Sequence, residues 1–327
     1  MEPLRWGVMG AGKFAREHMG PAIAAASGAR LVALATSDPA KAAPFAALAG
    51  PIRLHDSYEA LLSDPEVEAV YIPLPNHLHV EWTLRALEAG KHVLTEKPIA
   101  MRADEIDRII ALRDRTGLHA AEAFMILHHP QWQRVRELVA GGAIGPVRHV
   151  DVAFSYDNRS DPANIRNRAE TGGGGLRDIG VYACGCVRFA TGAEPVEVEA
   201  RIQRENGVDI WAQVVGRMQG PEGGFTFSAM TSMRLFPRQE VVLQGDRGLI
   251  RVPAPFNAEI FGEVRVELHQ PGFIATVERF PTARHYRLQV EAFTRTVRDG
   301  APYACPLEFS RGTQAMLDRI LSVAREI

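Results

Sequence analysis

Cysteine is nearly missing from this chain: three occur in 327 residues, Cys184, Cys186 and Cys305. Three thiols so spaced make no disulfide framework, which points to a reducing compartment and, by default, the cytoplasm. An excess of charge of either sign is missing too. The formal net charge is −2 with 23% charged residues, so no field gathers nucleic acid or acidic lipid, and neither partner is expected. Long apolar runs are also absent: the longest stretches are alanine-rich and broken by Pro, Gly or charge, short of the ~20 residues that a membrane-spanning helix needs. The opening "MEPLRWGVMGAG" has no charged leader followed by an apolar core, so no export signal is expected. There is no internal repeat or low-complexity tract.

What is present is enough chain for two cores. In the first part, "LRWGVMG", "ARLVALAT", "EAVYIPLP", "KHVLTEKP" and "LHAAEAFM" read as strands separated by helical patterns. That alternation predicts parallel strands joined by right-handed crossovers. From "PVRHVDVAFSY" onward strand follows strand, which predicts a mainly antiparallel sheet. One helix, over "GGGGLRDIGVYACGCVRFATG", interrupts it, and the helices "YRLQVEAFTRTVRDG" and "PLEFSRGTQAMLDRILSVAREI" close the chain. The expectation is α/β followed by α+β. A doubly wound Rossmann sheet occupies residues 1–122, and an open, mainly antiparallel sheet domain for substrate and oligomerisation occupies 123–327. The last helices are free to pack back on the first domain.

"WGVMGAGKFA" places Gly10, Gly12 and Ala15 between a strand and a helix. Gly10 permits the tight turn, Gly12 lets a pyrophosphate reach the backbone, and Ala15 lets helix and strand pack closely. Lys13 and Phe14 open the helix whose N–H groups would face the anion. A plain tight turn is the competing reading. At the end of the second strand, "LATSDPAKA" offers neutral Thr36 and Ser37, with Lys41 nearby, in place of the acid that holds a ribose 2′-hydroxyl. This favours NADP over NAD. Asp38 would reverse the preference if the register slipped by one, and its other role is helix N-cap before Pro39.

"GVMGAGKFA", "YIPLPNHLH", "AGKHVLTEKPIA" and "GGGLRDIGVY", in that order, resemble the glucose-fructose oxidoreductase/inositol dehydrogenase (Gfo/Idh/MocA) family over essentially the whole chain. The tyrosine after "DIG" and the segment "AEAFMILHHPQ" most resemble the branch that contains dimeric dihydrodiol dehydrogenases, NADP-dependent xylose dehydrogenases and glucose-fructose oxidoreductase. The resemblance implies that Lys97 is the active-site lysine, able to hydrogen-bond the reacting hydroxyl or carry its proton. It also implies a peptide before Pro98 that is often cis. Taken alone, a lysine at a strand end reads first as a solvated residue paired with Glu96.

The resemblance further makes Asp178 an orienting group and Tyr182 the proton carrier. Four residues apart, they share a helix face. A phenol with a pKa of ~10 needs a nearby cation to act near neutrality, and Lys97 can be that cation. A core tyrosine bonded to Asp178 is the alternative. The glycine run Gly172 to Gly175 would let backbone approach a ligand.

Pro75, Asn76 and His79 pass near the nicotinamide in the family and join Glu96 and Lys97 in the expected cofactor set; Asn76 is also a candidate helix cap. Arg166 and Arg177 are candidate substrate contacts, or surface arginines. Ile126 and Leu127 stand where related enzymes carry a polar or aromatic residue, which suggests a substrate that is less polar or differently oriented. No metal is expected, because the His77/His79, His128/His129 and Cys184/Cys186 pairs lack an accompanying acid ligand.

The expected activity is NAD(P)-dependent hydride transfer at a carbinol or carbonyl carbon of a sugar, cyclitol or diol, a small-molecule substrate. The rivals are a non-catalytic dinucleotide-binding regulator and a trans-dihydrodiol dehydrogenase. A homo-oligomer, dimer or tetramer, is expected through the open sheet.

Overall fold

The structure, a computed structural model, describes residues 2–258 and 260–327. Among the described residues, six parallel strands form the first sheet: β1 (Leu4–Met9), β2 (Ala29–Ala35), β3 (Arg53–His55), β4 (Ala69–Ile72), β5 (His92–Glu96) and β6 (Ala120–Ala123). Their order is β3-β2-β1-β4-β5-β6, so the winding reverses between β1 and β4. That reversal opens the crevice where doubly wound sheets bind ligands, beyond the carboxyl ends of the strands. The sequence reading passed over β3 and the helix Tyr58–Ser63 that follows it. Three residues, two of them exposed, carry too little periodicity to register.

β1 and β4 are apolar along nearly their whole length because both faces are covered. Trp6 of β1 is fully buried with its ring 4.8 Å from that of Phe293. Phe293 comes from the helix His285–Asp299, which buries His285, Gln289, Val290, Phe293 and Thr294 at helical spacing. This late helix is therefore part of the first core. The chain divides into two compact units, Met1–His128 with Arg284–Arg311, and His129–Ala283 with Gly312–Ile327. The division comes at 128/129 where 122/123 was expected. The 3-10 turn Met125–His128 packs against helix His285–Asp299, and His128 lies 4.7 Å, ring to ring, from Tyr303.

Among the described residues, the second unit carries nine strands: β7 (Val147–Asp157), β8 (Glu194–Glu205), β9 (Val208–Gly220), β10 (Gly223–Ser232), β11 (Arg234–Gly245), β12 (Leu249–Val252), β13 (Arg265–Gln270), β14 (Ile274–Arg279) and β15 (Ala324–Glu326). Their order is β14-β13-β12-β11-β7-β10-β9-β8-β15, with parallel pairing only for β7–β10 and β8–β15 among the described residues. β8 turns Val198, Ala200 and Ile202 inward and Glu197, Glu199 and Arg201 outward, the alternation of a sheet wet on one side. β14 was not anticipated, and residues 324–326 were expected to be helical. Helix Leu307–Val323 instead gives way to β15, because the edge of β8 offers unpaired backbone groups, and Ile327 N–H donates to Ile202 O at 3.0 Å.

Burial holds four histidines neutral. His79, His119 and His129 are each lowered to about 4 and His128 to about 3, with desolvation the largest cause in every case. Their folded pKa values lie below the unfolded one, so the stability they contribute is fully present above about pH 6.5 and is lost as pH falls toward 4. The expected outcome for His128→Phe is a flatter dependence of unfolding free energy on pH below 6.5. The slope falls by about one proton, roughly 1.4 kcal/mol per pH unit. Urea titrations from pH 7 to pH 5 would measure it; an unchanged slope would show that His128 is not held neutral.

Candidate active site

In the first unit the loops after β2, β1, β4 and β5 all leave the carboxyl edge of the sheet, and each carries part of the expected cofactor set. Gly10 adopts φ +102°, which side-chain-bearing residues rarely tolerate, and its N–H donates to Ala35 O at 2.9 Å. A Cβ on Gly10 would lie 3.4 Å from Leu74 in the turn after β4, whereas a Cβ on Gly12 would meet nothing within 4 Å. Open space before Gly12, at the start of a helix, is a cradle that suits a pyrophosphate.

The helical backbone that follows runs over 13–25 and widens at Ala15–Met19, where Gly20 N–H reaches back five residues to Ala15 O. Pro21 explains the widening. It has no N–H to give, and its ring would collide with the carbonyl four residues back. Lys13 is exposed and Phe14 half-buried, its ring 5.5 Å from that of Tyr286. Ala15 is fully buried and serves packing.

β2 ends at Ala35, so Thr36 and Ser37 are the first residues beyond it. The Thr36 hydroxyl accepts from Asp38 N–H and donates to Asp38 O, both at 3.2 Å. Asp38 caps the Pro39–Ala42 turn through Ala40 N–H at 3.1 Å and pairs with Lys41 at 3.6 Å. The acid is thus a cap, and hydroxyls stand at the strand end.

After β4, Pro75 holds the cap position of the 3-10 turn Asn76–Leu78, so Asn76 sits inside that turn and does not cap it. His79 does not line a surface. It is fully buried, with ring nitrogens 2.6 Å from Leu74 O and 2.8 Å from Pro98 O; the neutral ring donates to one of the two and packs between the turn after β4 and the turn after β5.

Glu96 ends β5 and accepts from the Tyr71 hydroxyl at 2.7 Å and from Lys97 N–H at 3.3 Å. Lys97 follows, half-buried, and the Lys97–Pro98 peptide is cis. One residue further, Ile99 N–H donates to Glu122 at 3.0 Å. Glu122, on β6, is buried, and desolvation raises its pKa against the bonds from Ile99 and Ser310 and the charge of Lys97. Sequence reasoning missed Glu122. The available signal was a lone carboxylate inside an otherwise apolar parallel strand, "AAEA". Ile126 and Leu127 are buried in the turn packed on helix His285–Asp299, so the substrate argument built on them loses its footing.

In the second unit, the glycine run serves packing within the protein. A Cβ on Gly173 would lie 2.5 Å from Arg166 O, and one on Gly174, at φ +123°, would fall against the Asp209 carboxylate. Asp209, buried on β9, accepts from Leu176 N–H at 2.7 Å, and desolvation raises its pKa. Leu176–Gly180 is a widened, i→i+5 turn that leads into helix Val181–Thr191. The expected single helix from Gly172 therefore starts later, behind this anchor.

Asp178, in the widened turn, accepts from the Tyr156 hydroxyl at 2.6 Å and pairs with Arg166 Nε at 2.9 Å. The Asp178 charge raises the pKa of Arg166. Burial, then Asp178, raises that of Tyr156. Tyr182 is buried, its ring 5.7 Å from Phe154 and 5.5 Å from Phe256. Arg177 donates to Gly173 O at 3.4 Å, a contact that closes the glycine turn. Tyr156 left no mark in the sequence, because a tyrosine in an alternating strand looks like any other.

Residues 4–124 match the oxidoreductase family with an NAD-binding Rossmann fold, and residues 132–251 match the GFO/IDH/MocA C-terminal domain. An uncharacterized oxidoreductase of Rhizobium meliloti is 40% identical over 98% of this chain and 96% of its own length. The chain belongs to the Gfo/Idh/MocA oxidoreductase family. Another relative, dTDP-3,4-didehydro-2,6-dideoxy-alpha-D-glucose 3-reductase of Saccharopolyspora spinosa, is 34% identical over 97% of this chain and 95% of the relative. Among solved structures, KijD10, a 3-ketoreductase from Actinomadura kijaniata in complex with NADP and TDP-benzene, superposes with a TM-score of 0.89. It is 29% identical, covering 100% of this chain and 99% of that one. This Gfo/Idh/MocA member is an NAD(P)-dependent oxidoreductase, and the non-catalytic regulator is not favoured.

The anchor under Leu176 gives a test. Asp209→Ala leaves that N–H buried without its acceptor and is expected to cost about 1–3 kcal/mol. Asp209→Asn keeps an acceptor oxygen and is expected to cost less. Chemical denaturation of both variants checks the order; equal losses would show that charge, not acceptance, is what Asp209 supplies.

Proposed function

We propose that this enzyme moves hydride between NADP(H) and a ring carbon of a sugar, with a keto group on a deoxy-sugar as the favoured acceptor. The observation that carries the reading is Lys97 at the carboxyl edge of β5, on a turn bonded to His79 and Glu122, in the same sheet as the open Gly10–Gly12 cradle. The 34% identical dideoxy-sugar reductase supports the choice of substrate.

Bound NADPH would supply the hydride. Gly10, Gly12, Lys13 and Phe14 would hold the pyrophosphate end. Thr36, Ser37 and Lys41 would accept the 2′-phosphate, which an acid at the strand end would repel. Pro75, Asn76 and Glu96 would bound the nicotinamide side. Reduction of the carbonyl carbon would leave its oxygen in need of a proton; Lys97 of the first unit is proposed as a hydrogen-bond donor for that chemistry and Tyr182 of the second as the proton donor. Asp178 orients the phenol. Oxidation of the alcohol runs the same steps in reverse.

The same reading makes the enzyme cytoplasmic and a homo-oligomer paired through the exposed face of the second sheet, where Glu197, Glu199 and Arg217 make a partly polar surface. Sedimentation at micromolar concentration should return a dimer or tetramer; a monomer would remove the pairing.

The test of activity is a panel of keto-sugars free and nucleotide-linked, aldoses, inositols and aromatic dihydrodiols, run with NAD and NADP in parallel. NADP and the deoxy-keto-sugars should lead. Faster turnover of dihydrodiols than of every sugar would sink the sugar reading, and a clear preference for NAD would sink the role of Thr36 and Ser37. Lys97→Met should lower turnover by roughly two to four orders of magnitude with cofactor binding near normal. Tyr182→Phe should do likewise.

A further inference from the structure

A buried phenol that exchanges protons near neutral pH needs a positive charge beside it, and sequence reasoning nominated Lys97 for that task. The second unit contains a cation of its own. Arg166 stands on the turn Ile165–Asn167 with Nε 2.9 Å from Asp178 Oδ1, and Tyr156 of β7 donates to the other carboxylate oxygen at 2.6 Å. Both oxygens of Asp178 thus have partners, one of them a full positive charge. Asp178 lies four residues before Tyr182 on a continuous helical stretch.

We infer that Arg166 is a positioning residue for Tyr182, and not a substrate contact: it neutralises Asp178, and with Tyr156 it fixes that carboxylate so that the phenol faces a compensated ion pair in place of a bare negative charge. The inference rests on the proposal that Tyr182 carries the proton. The charge on Arg166 is coupled to Tyr182 as well as to Asp178 and Tyr156.

The arrangement is held independently of any ligand. Asn164 receives Arg166 N–H at 3.1 Å, and Arg234 binds both Asn158 at 2.7 Å and Asn167 at 3.1 Å, which fastens the loop that carries the guanidinium. Other charged or titratable groups of this region are Arg177 in the widened turn, Asp209 of β9 under its start with Arg204 acting on that carboxyl, and Arg234 near Tyr156 with Glu205 paired to it at 2.9 Å. Cys184, Cys186 and Arg188 follow on the helix itself. Phe154 and Phe256 cover the ring and carry no charge.

The sign follows. Removing the guanidinium leaves Asp178 uncompensated, which disfavours phenolate and raises the pKa of Tyr182. In the oxidising direction phenolate accepts the proton, so the rising limb of kcat against pH moves to higher pH. The experiment is the pH profile of kcat and KM for the full chain with NADP and the best alcohol from the substrate panel. Arg166→Met should move the limb upward by about one pH unit or more. Arg166→Lys should restore much of the shift, and Tyr156→Phe should move the limb the same way by less.

A limb that stays in place for Arg166→Met while KM rises would overturn the inference and return Arg166 to substrate binding. If Arg166→Met does not fold, Arg166→Lys and Tyr156→Phe decide by the same readout: a limb unmoved in both overturns it. Tyr182→Phe separates the two proposals. Turnover retained in that variant removes Tyr182 from the mechanism, and the inference falls with it. Turnover lost, with no limb shift in the Arg166 and Tyr156 variants, removes the inference alone.

Discussion

Charge removed from water must be matched, and the geometry around the expected catalytic residues follows from how this chain matches it. Asp209 is buried and accepts from Leu176 N–H. Because a carboxylate occupies that place, Gly174 can hold no side chain, and the widened turn starts where the anchor allows. Asp178 is positioned by that turn, and its two oxygens are matched by Arg166 and Tyr156. An unmatched carboxylate there would cost more than any of these bonds returns, so the members of the set depend on one another.

The first unit applies the same rule to a backbone turn. The segment after β5 is held by Glu96, which accepts the Lys97 amide, and by Glu122, which accepts from Ile99 N–H. His79 adds a contact to Pro98 O from the neighbouring loop. None of these groups needs to meet a ligand to matter. They fix the backbone that presents Lys97, and a fixed backbone is what gives a long, flexible lysine a defined place to act. The doubly wound order brings them together, because β4 and β6 flank β5 and their loops leave the same edge.

Much of this was legible in the chain. Gly10, Gly12 and Ala15 announced the first turn because each glycine answers a local backbone demand, and the strand-to-helix context confirmed it. The Glu96–Lys97–Pro98 run marked its edge through resemblance to known enzymes, and the change from alternating to consecutive strands marked the second sheet. Asp38 as a cap was also readable, since a proline followed it. Local rules reach that far because they depend on a few neighbouring residues.

The rest was decided in three dimensions. Gly172–Gly175 looked like room for a ligand, yet at Gly173–Gly175 the space is filled by Asp209 and by carbonyls of 165–168, more than thirty residues away on one side and a few on the other. Ile126 and Leu127 looked like pocket residues and are buried in a turn packed against a helix that begins at His285. Residues 324–326 had helical composition, but the open edge of β8 captured them as a strand. Sequence determined the fold class and the glycine turn, which depend on local backbone preference and periodicity. Tertiary structure decided which polar groups face each other, because a buried charge takes its partner from whatever the fold brings near it, at any distance along the chain.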